Sequence, residues 1–335
     1  MSGHPRGVTF KLETATALFS HGANGAGQAE VRAQPFEAAA RYWFRALAGG
    51  SLPLPCADRP GRMQPGCPCL RCEEGRVFGS ADHGRGVAFV LGQASPRHGE
   101  QALLPHHEPK GKGMDGPLLK DAVLARQELV AHVIPGLPTT STTAVQAVAA
   151  SLLVALLLGG IGQRSRRGAG DFVIKEASGG HGLDLAALAP VESPELYAAA
   201  LHQTLASARA SALLAVRRPA AGRAVAAPFP MLIAPHARIV VAPLAFARES
   251  EARAEVMMWL RPYKNASFGL PYMRAAPGDT PQPRGRHASP LWIHLGPGRT
   301  TLTVMKSATV QGTMNRLDDL LDSVVQRRGG VNVVI

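Results

Sequence analysis

The sequence predicts an α+β protein of two units, on three observations. Strand-like and helix-like apolar patterns follow one another along 335 residues, 46% of them hydrophobic, enough to bury a real core. Glycine- and proline-rich breaks separate the patterned segments. One break, "ASGGHGL" at residues 177–183, marks the expected boundary between residues 1–180 and residues 181–335.

The elements follow in order. Val8 to Leu12 alternates apolar and polar residues, as a half-buried strand does. "FSHGANGAGQAE", residues 19–30, is a glycine-rich loop. A helix from about Pro35 to Ala48 carries Phe36, Ala40, Trp43 and Leu47 as its apolar stripe, with Arg41 and Arg45 on the opposite side. Residues 49–76 form a Pro- and Cys-rich insertion in which no regular element is expected. "GVAFVLG", residues 86–92, reads as a strand, and residues 93–117 read as a loop rich in His, Pro, Gly and Lys. An apolar helix spans about 142–158, with Ser141 and Thr142 as candidate caps. The uncharged run Ala144 to Gly162 is long enough for a membrane span, but Gln146, Ser151 and the glycines and alanines near its ends dilute it. A buried core helix is the better reading. "DFVIKE" follows as a strand.

That order approximates β-α-β-β-α-β, the split arrangement of ferredoxin-like and RNA-recognition folds. The second half is similar in kind and less regular. It offers a helix from Pro194 to Arg217, a strand "IVVAPLAF" and a helix from Ser250 to Leu260. Strands "PLWIHL" and "TLTVMK" and a helix from Met314 to Gln326 complete it, with a Pro/Arg-rich loop at 275–288. Two ferredoxin-like units are therefore expected.

Formal net charge is +12, which points to a polyanionic partner, nucleic acid first. The basic residues are mostly arginine and the chain is rich in Ala and Gly, a bias that genome composition alone also produces. Met1 to Arg6 lacks the apolar stretch of a secretion signal, so a cytoplasmic protein without a membrane anchor is expected.

The most informative stretch is "GGIGQRSRRGAGDF", residues 159–172. Glycines at 159, 160, 162, 168 and 170 remove the Cβ atoms that hold a backbone away from a ligand, and they permit positive φ. Successive N–H groups then make an anion-binding concavity. Arg164, Arg166 and Arg167 add planar forks that match phosphate geometry, while Gln163 and Ser165 suit sugar hydroxyls or base edges. No Lys-Ser/Thr follows the glycines and a strand comes next, which argues against a nucleotide-phosphate loop. A solvated turn is the bland alternative. His21, Gly22 and Asn24 in the first glycine loop, and Arg41 and Arg45 on the first helix, are further candidate RNA contacts. For the loop, a plain connection is the competing reading; for the two arginines, a solvated charged face. Tyr42, Trp43 and Phe44 could stack on bases, but a helix this apolar is expected to bury them.

All four cysteines, Cys56, Cys67, Cys69 and Cys72, lie within seventeen residues. In a cytoplasmic chain disulfides are disfavoured, and four thiolates make a closed structural zinc site. C-x-C is an uncommon spacing, so one of Cys67 and Cys69 could be spared, with His83 or His98 completing the site. Metal would organise a segment with little else to bury.

Several motifs carry a resemblance to a known family. "TATALFSHGANGAGQAEVR", "FEAAARYWFRALAG", "VFGS" and "GGIGQRSRRGAGDF" occur in the order seen in the RAMP superfamily of CRISPR-associated proteins, and "FGLPY" and "RHASPLWIHL" fit its later part. The chain most resembles the first subunit of the Cmr module, the type III-B effector. The resemblance implies two ferredoxin-like domains and, for some members, a Cys-rich insertion before the "FGS" motif. It implies a non-catalytic subunit of an antiviral ribonucleoprotein that holds guide or target RNA near the 3′ end of the guide, beside other RAMP subunits. Related filament subunits cut RNA with an acidic side chain in the first loop, and residues 19–29 contain none. The alternatives are a RAMP endoribonuclease, processing guides or cleaving target with His21 as base, and a basic scaffold touching protein alone. Arg284, Arg286 and His287 would line the RNA channel, meet a neighbouring subunit, or stand in solvent.

Overall fold

The computed structural model describes residues 7–22, 27–53, 56, 66–80, 84–92, 95–103, 119–179, 193–217, 229–246, 248–263, 290–305 and 314–335. Asn24, His83, the 275–288 loop with Arg284, Arg286 and His287, and "FGLPY" lie outside them.

The first sheet holds β1 (Val8–Thr14), β2 (Val87–Leu91), β5 (Glu128–Pro135) and β6 (Phe172–Ser178), in the order β2-β5-β1-β6 with every pair antiparallel. Alternation decides which face is covered: Val8, Phe10 and Leu12 of β1 and Leu129, Ala131 and Val133 of β5 are buried. Helices α1 (Ala33–Ala48) and α3 (Thr142–Leu158) cover that face. Strand β5 is a central strand that the sequence reading, which named only residues 86–92 between the two helices, did not identify. A hairpin of β3 (His98–Ala102) and β4 (Leu119–Val123) occupies part of the stretch read as loop.

The second sheet runs β10-β7-β9-β8, again antiparallel throughout, from β7 (Ala237–Pro243), β8 (Leu291–Gly296), β9 (Arg299–Met305) and β10 (Val331–Val333). Helices α4 (Pro194–Leu214), α5 (Glu249–Leu260) and α6 (Met314–Arg328) accompany it. Each unit therefore connects β-α-β-β-α-β, with its first and third strands central. The near-continuous apolar run of β7 has a physical cause: both faces are covered. Ile239 and Val241 join the core around α3 and α4, while Val240 and Ala242 join a separate core with α5 and α6.

Helix α3 lies between the two units. Fourteen of its seventeen residues are buried, because β-sheet and α1 lie on one side and α4 on the other. Ser141 caps it by accepting the Ala144 N–H at 3.2 Å. A core helix accounts for the apolar run; among the described residues no helix is long and apolar enough to cross a membrane.

A second departure lies in the insertion. Residues Leu70–Phe78 form a helix, α2, with Cys69 at its N-cap. Its buried carboxylates explain why it docks. Glu73 pairs with Arg76 at 2.5 Å and accepts the Arg217 N–H at 3.1 Å, tying α2 to the end of α4. Glu74 accepts from Arg45 at 3.0 Å and from Arg41 at 3.4 Å, tying it to α1. Glu74→Ala leaves two half-buried guanidinium groups facing each other, so we expect it to cost about 1–3 kcal/mol in chemical denaturation, and Glu74→Gln less.

Candidate functional site

The loop between α3 and β6 has a neck, a body and an exposed arc. The Ile161 N–H donates to Gly170 O at 2.8 Å and closes the neck. Gly170 N–H donates to Ala17 O at 2.9 Å, and Gln163 N–H to Phe19 O at 2.8 Å, so the body lies against the start of the first glycine loop. Two segments read separately in the sequence thus meet. His21 pairs with Ala29 in an isolated bridge, its carbonyl accepts from Arg32, and Gly22 lies beside Glu30.

The glycines serve this folding. Gly159, Gly160, Gly168 and Gly170 are buried. A Cβ on Gly170, whose φ is +67°, would stand 1.9 Å from Ile161 O, and one on Gly160 would stand 2.5 Å from Ala169 O. Their backbone approaches other parts of the protein rather than open space. What faces outward is Gln163 and Arg164, followed by a half-buried 3-10 turn, Ser165–Arg167. Arg164 holds φ +61°, a left-handed conformation that costs a side-chain-bearing residue on the order of 1 kcal/mol.

The three arginines differ in environment. Arg164 is exposed. Arg166 lies 4.4 Å from the ring centre of Trp292 and 5.2 Å from that of Tyr42. Trp292 Nε1 donates to the Tyr42 hydroxyl at 3.2 Å, and Trp43 packs 5.2 Å from Trp292. Trp43 and Phe44 are fully buried, as the apolar helix implied. Burial, together with Arg164 and Arg166 nearby, pushes the Arg167 guanidinium down to about 9. Lys120, on β4, reaches Gln163 Oε1 at 3.5 Å and adds a cation to the arc. The sequence reading missed it, because a lone lysine beside a loop carries no local signal.

Arg41 and Arg45 sit on the α1–α2 contact, where Glu74 holds both and Glu37 also binds Arg41 at 3.0 Å.

Beneath the loop lies a buried polar cluster. Asp171 is fully buried; its Oδ2 accepts the Leu295 N–H at 2.8 Å, and its N–H donates to the Thr16 hydroxyl at 2.9 Å. Burial pushes the Asp171 carboxyl up, offset in part by His294. His294 Nδ1 stands 3.0 Å from Gly159 O and 3.5 Å from Asp171 Oδ1. On α5, Glu249 accepts the Ala17 N–H at 3.0 Å, and buried Arg253 reaches the carbonyls of Ala102 and Leu103 at 3.4 Å.

The cysteines form the second site. The sulfurs of Cys56, Cys67, Cys69 and Cys72 all lie within 4.8 Å of one another, with Cys56–Cys69 at 3.7 Å and Cys56–Cys72 at 3.9 Å. Tetrahedral thiolates around a zinc ion are separated by about 3.8 Å, so the donor set fits a closed metal site. Burial acts to raise the Cys69 thiol, yet N–H donors of Cys72 and Cys56 and the neighbouring thiols bring it down to about 7. His98 sits apart, on β3 and 3.7 Å from Asp121.

No protein-family model and no curated protein sequence matches the chain. Solved structures do. The crystal structure of apo Cmr1 from Pyrococcus furiosus aligns with a TM-score of 0.62 at 19% identity, covering 98% of each chain. A chain of the type III-B Cmr-beta complex bound to cognate target RNA gives 0.60 at 10% identity, covering 96% of this chain and 99% of that one. The same complex with target RNA and AMPPnP, in the presence of ssDNA, gives 0.58 at 10%, covering 95% and 98%. The chain has the fold of these proteins over nearly its whole length, and the resemblance read from the sequence holds at that level.

Proposed function

We propose that this chain is a non-catalytic RNA-binding subunit of a type III-B Cmr effector ribonucleoprotein, holding guide or target RNA near the 3′ end of the guide in antiviral defence. The fold it has in common with Cmr1 supports the family reading. The observation that carries the RNA reading is the tip of the loop: Gln163 and Arg164 are exposed, half-buried Ser165, Arg166 and Arg167 follow them, and Lys120 reaches Gln163. Guanidinium forks hold phosphates without reading sequence, which suits a protein whose specificity is delegated to base pairing. Both β-α-β-β-α-β units are read as ferredoxin-like modules. Zinc, held by Cys56, Cys67, Cys69 and Cys72, has a structural role, since four thiolates leave no open position for chemistry. Guide RNA, target RNA and sister subunits are the partners, and the cytoplasm is the working compartment. The non-catalytic reading follows the resemblance and the first glycine loop, residues 19–29, which carries no acidic side chain to cut RNA as in related filament subunits.

Arg164→Gly tests this reading cleanly. Glycine relieves the left-handed strain while removing the charge, so stability is expected to hold or rise as binding weakens. The plot of log affinity against log salt for single-stranded RNA should flatten by about 0.7, one phosphate contact. Adding Lys120→Ala should flatten it again. A slope unchanged in both variants would favour a basic scaffold that contacts protein alone.

A further inference from the structure

The arginine loop takes its shape from outside its own unit. His294, on β8, sits across the loop's neck, 3.0 Å from the carbonyl of Gly159 where the loop begins and 3.5 Å from the carboxylate of Asp171 where it ends. A ring nitrogen facing two acceptors carries the hydrogen, so Nδ1–H donates, and Gly159 O is the nearer acceptor. The next residue closes the same neck, with Leu295 N–H donating to Asp171 Oδ2. Trp292 lies under Arg166, and Ile293 and Leu295 fill the space that Gly168 leaves open. Strand β8 thus touches the loop at its start, middle and end.

The chemistry of these contacts argues for positioning rather than simple adhesion. An apolar residue would seal the interface without the cost of burying an imidazole and a carboxylate. The polar groups favour one geometry, because the His294 bond needs Gly159 in place and the Leu295 N–H bond needs Asp171 in place. His294 is 5% exposed and Asp171 is fully buried, so neither is placed to touch RNA.

We propose that His294 and Trp292 are positioning residues that impose the phosphate-gripping shape of the arginine loop, making RNA affinity depend on the docking of the second unit. The proposal deepens the RNA-binding reading and rests on it. Its test compares His294→Leu with His294→Asn, in which an amide nitrogen takes the place of Nδ1. Labelled single-stranded RNA is titrated over a salt series, and each variant is melted alongside. The leucine variant is expected to bind roughly tenfold more weakly, with a slope flattened by about 0.7 or more, and asparagine to restore most of both. A merely structural role would lower the melting temperature and leave the slope of the folded protein untouched. Should the leucine variant fail to fold, Trp292→Leu decides: a flattened slope supports positioning. A wild-type slope and affinity in a folded His294→Leu, or failing that in Trp292→Leu, overturns it. Arg164→Gly, run in parallel, separates the two ideas. If it too leaves the slope unchanged, the RNA reading itself fails; if it alone flattens the slope, only the positioning claim falls.

Discussion

Gly170→Ala is expected to unfold the arginine loop and, with it, to abolish the RNA binding proposed for that loop. The added methyl group would stand 1.9 Å from the carbonyl oxygen of Ile161, and a φ of +67° already disfavours any side chain. The obstructing atom is backbone, the carbonyl of the residue whose N–H closes the neck on Gly170 O, so no rotamer change relieves the clash. Movement of residue 170 also breaks its N–H bond to Ala17 O and displaces Asp171 from Leu295. We expect a loss of at least about 3 kcal/mol and a melting temperature lower by about 5–10 °C. Gly27→Ala is the control, because a Cβ there meets nothing within 4 Å. RNA affinity should fall far more in Gly170→Ala than in the control. Equal melting temperatures and equal affinities would mean that the loop does not adopt this neck in solution.

The same residue shows what the sequence could and could not convey. A run of glycines announces that backbone must come close to something, and that much was legible. Whether the something is a phosphate or another stretch of the same chain leaves no trace in residue identity. In the structure Gly159, Gly160, Gly168 and Gly170 approach protein, and Gln163 and Arg164 are the loop residues left exposed. The partners that shape the loop were illegible for another reason. Trp292 and His294 sit more than 120 residues further on, in a strand whose apolar pattern speaks only of burial.

The fold was legible where one face meets the core. Strand β1 alternates, α1 carries a single stripe, and α3 is apolar enough to be buried all round, with its capping serine in place. Legibility failed where tertiary partners make the element. Hairpin strand β3, "HGEQA", has no fully buried residue and hence no alternation to read. Helix α2 buries Glu73 and Glu74, which no apolar pattern would place inside. Those carboxylates are tolerated because Arg76, Arg41 and Arg45 wait for them.

Removing metal from the cysteine cluster before α2 is expected to have the second large effect. Cys69 occupies the N-cap position of α2 and Cys72 lies in its first turn, so a metal ion bound to both would fix the turn that has to form first. Cys56, sixteen residues before Cys72, would close the intervening segment onto it. Metal analysis of the purified chain should give one zinc per molecule, and Cys72→Ser should give none. At free zinc a thousandfold above its dissociation constant, binding contributes about 4 kcal/mol, so a strong chelator should lower the melting temperature by a corresponding amount. Hydrogen exchange locates the damage: protection of residues 70–78 should disappear first, because Glu73 and Glu74 lose their buried partners as α2 lifts away. The arginine loop is held by β8 and not by α2, so the salt slope of RNA binding should survive chelation in whatever fraction stays folded. A purified chain with four titratable thiols, no zinc and an unchanged melting temperature in chelator would reduce the cluster to neighbouring thiols.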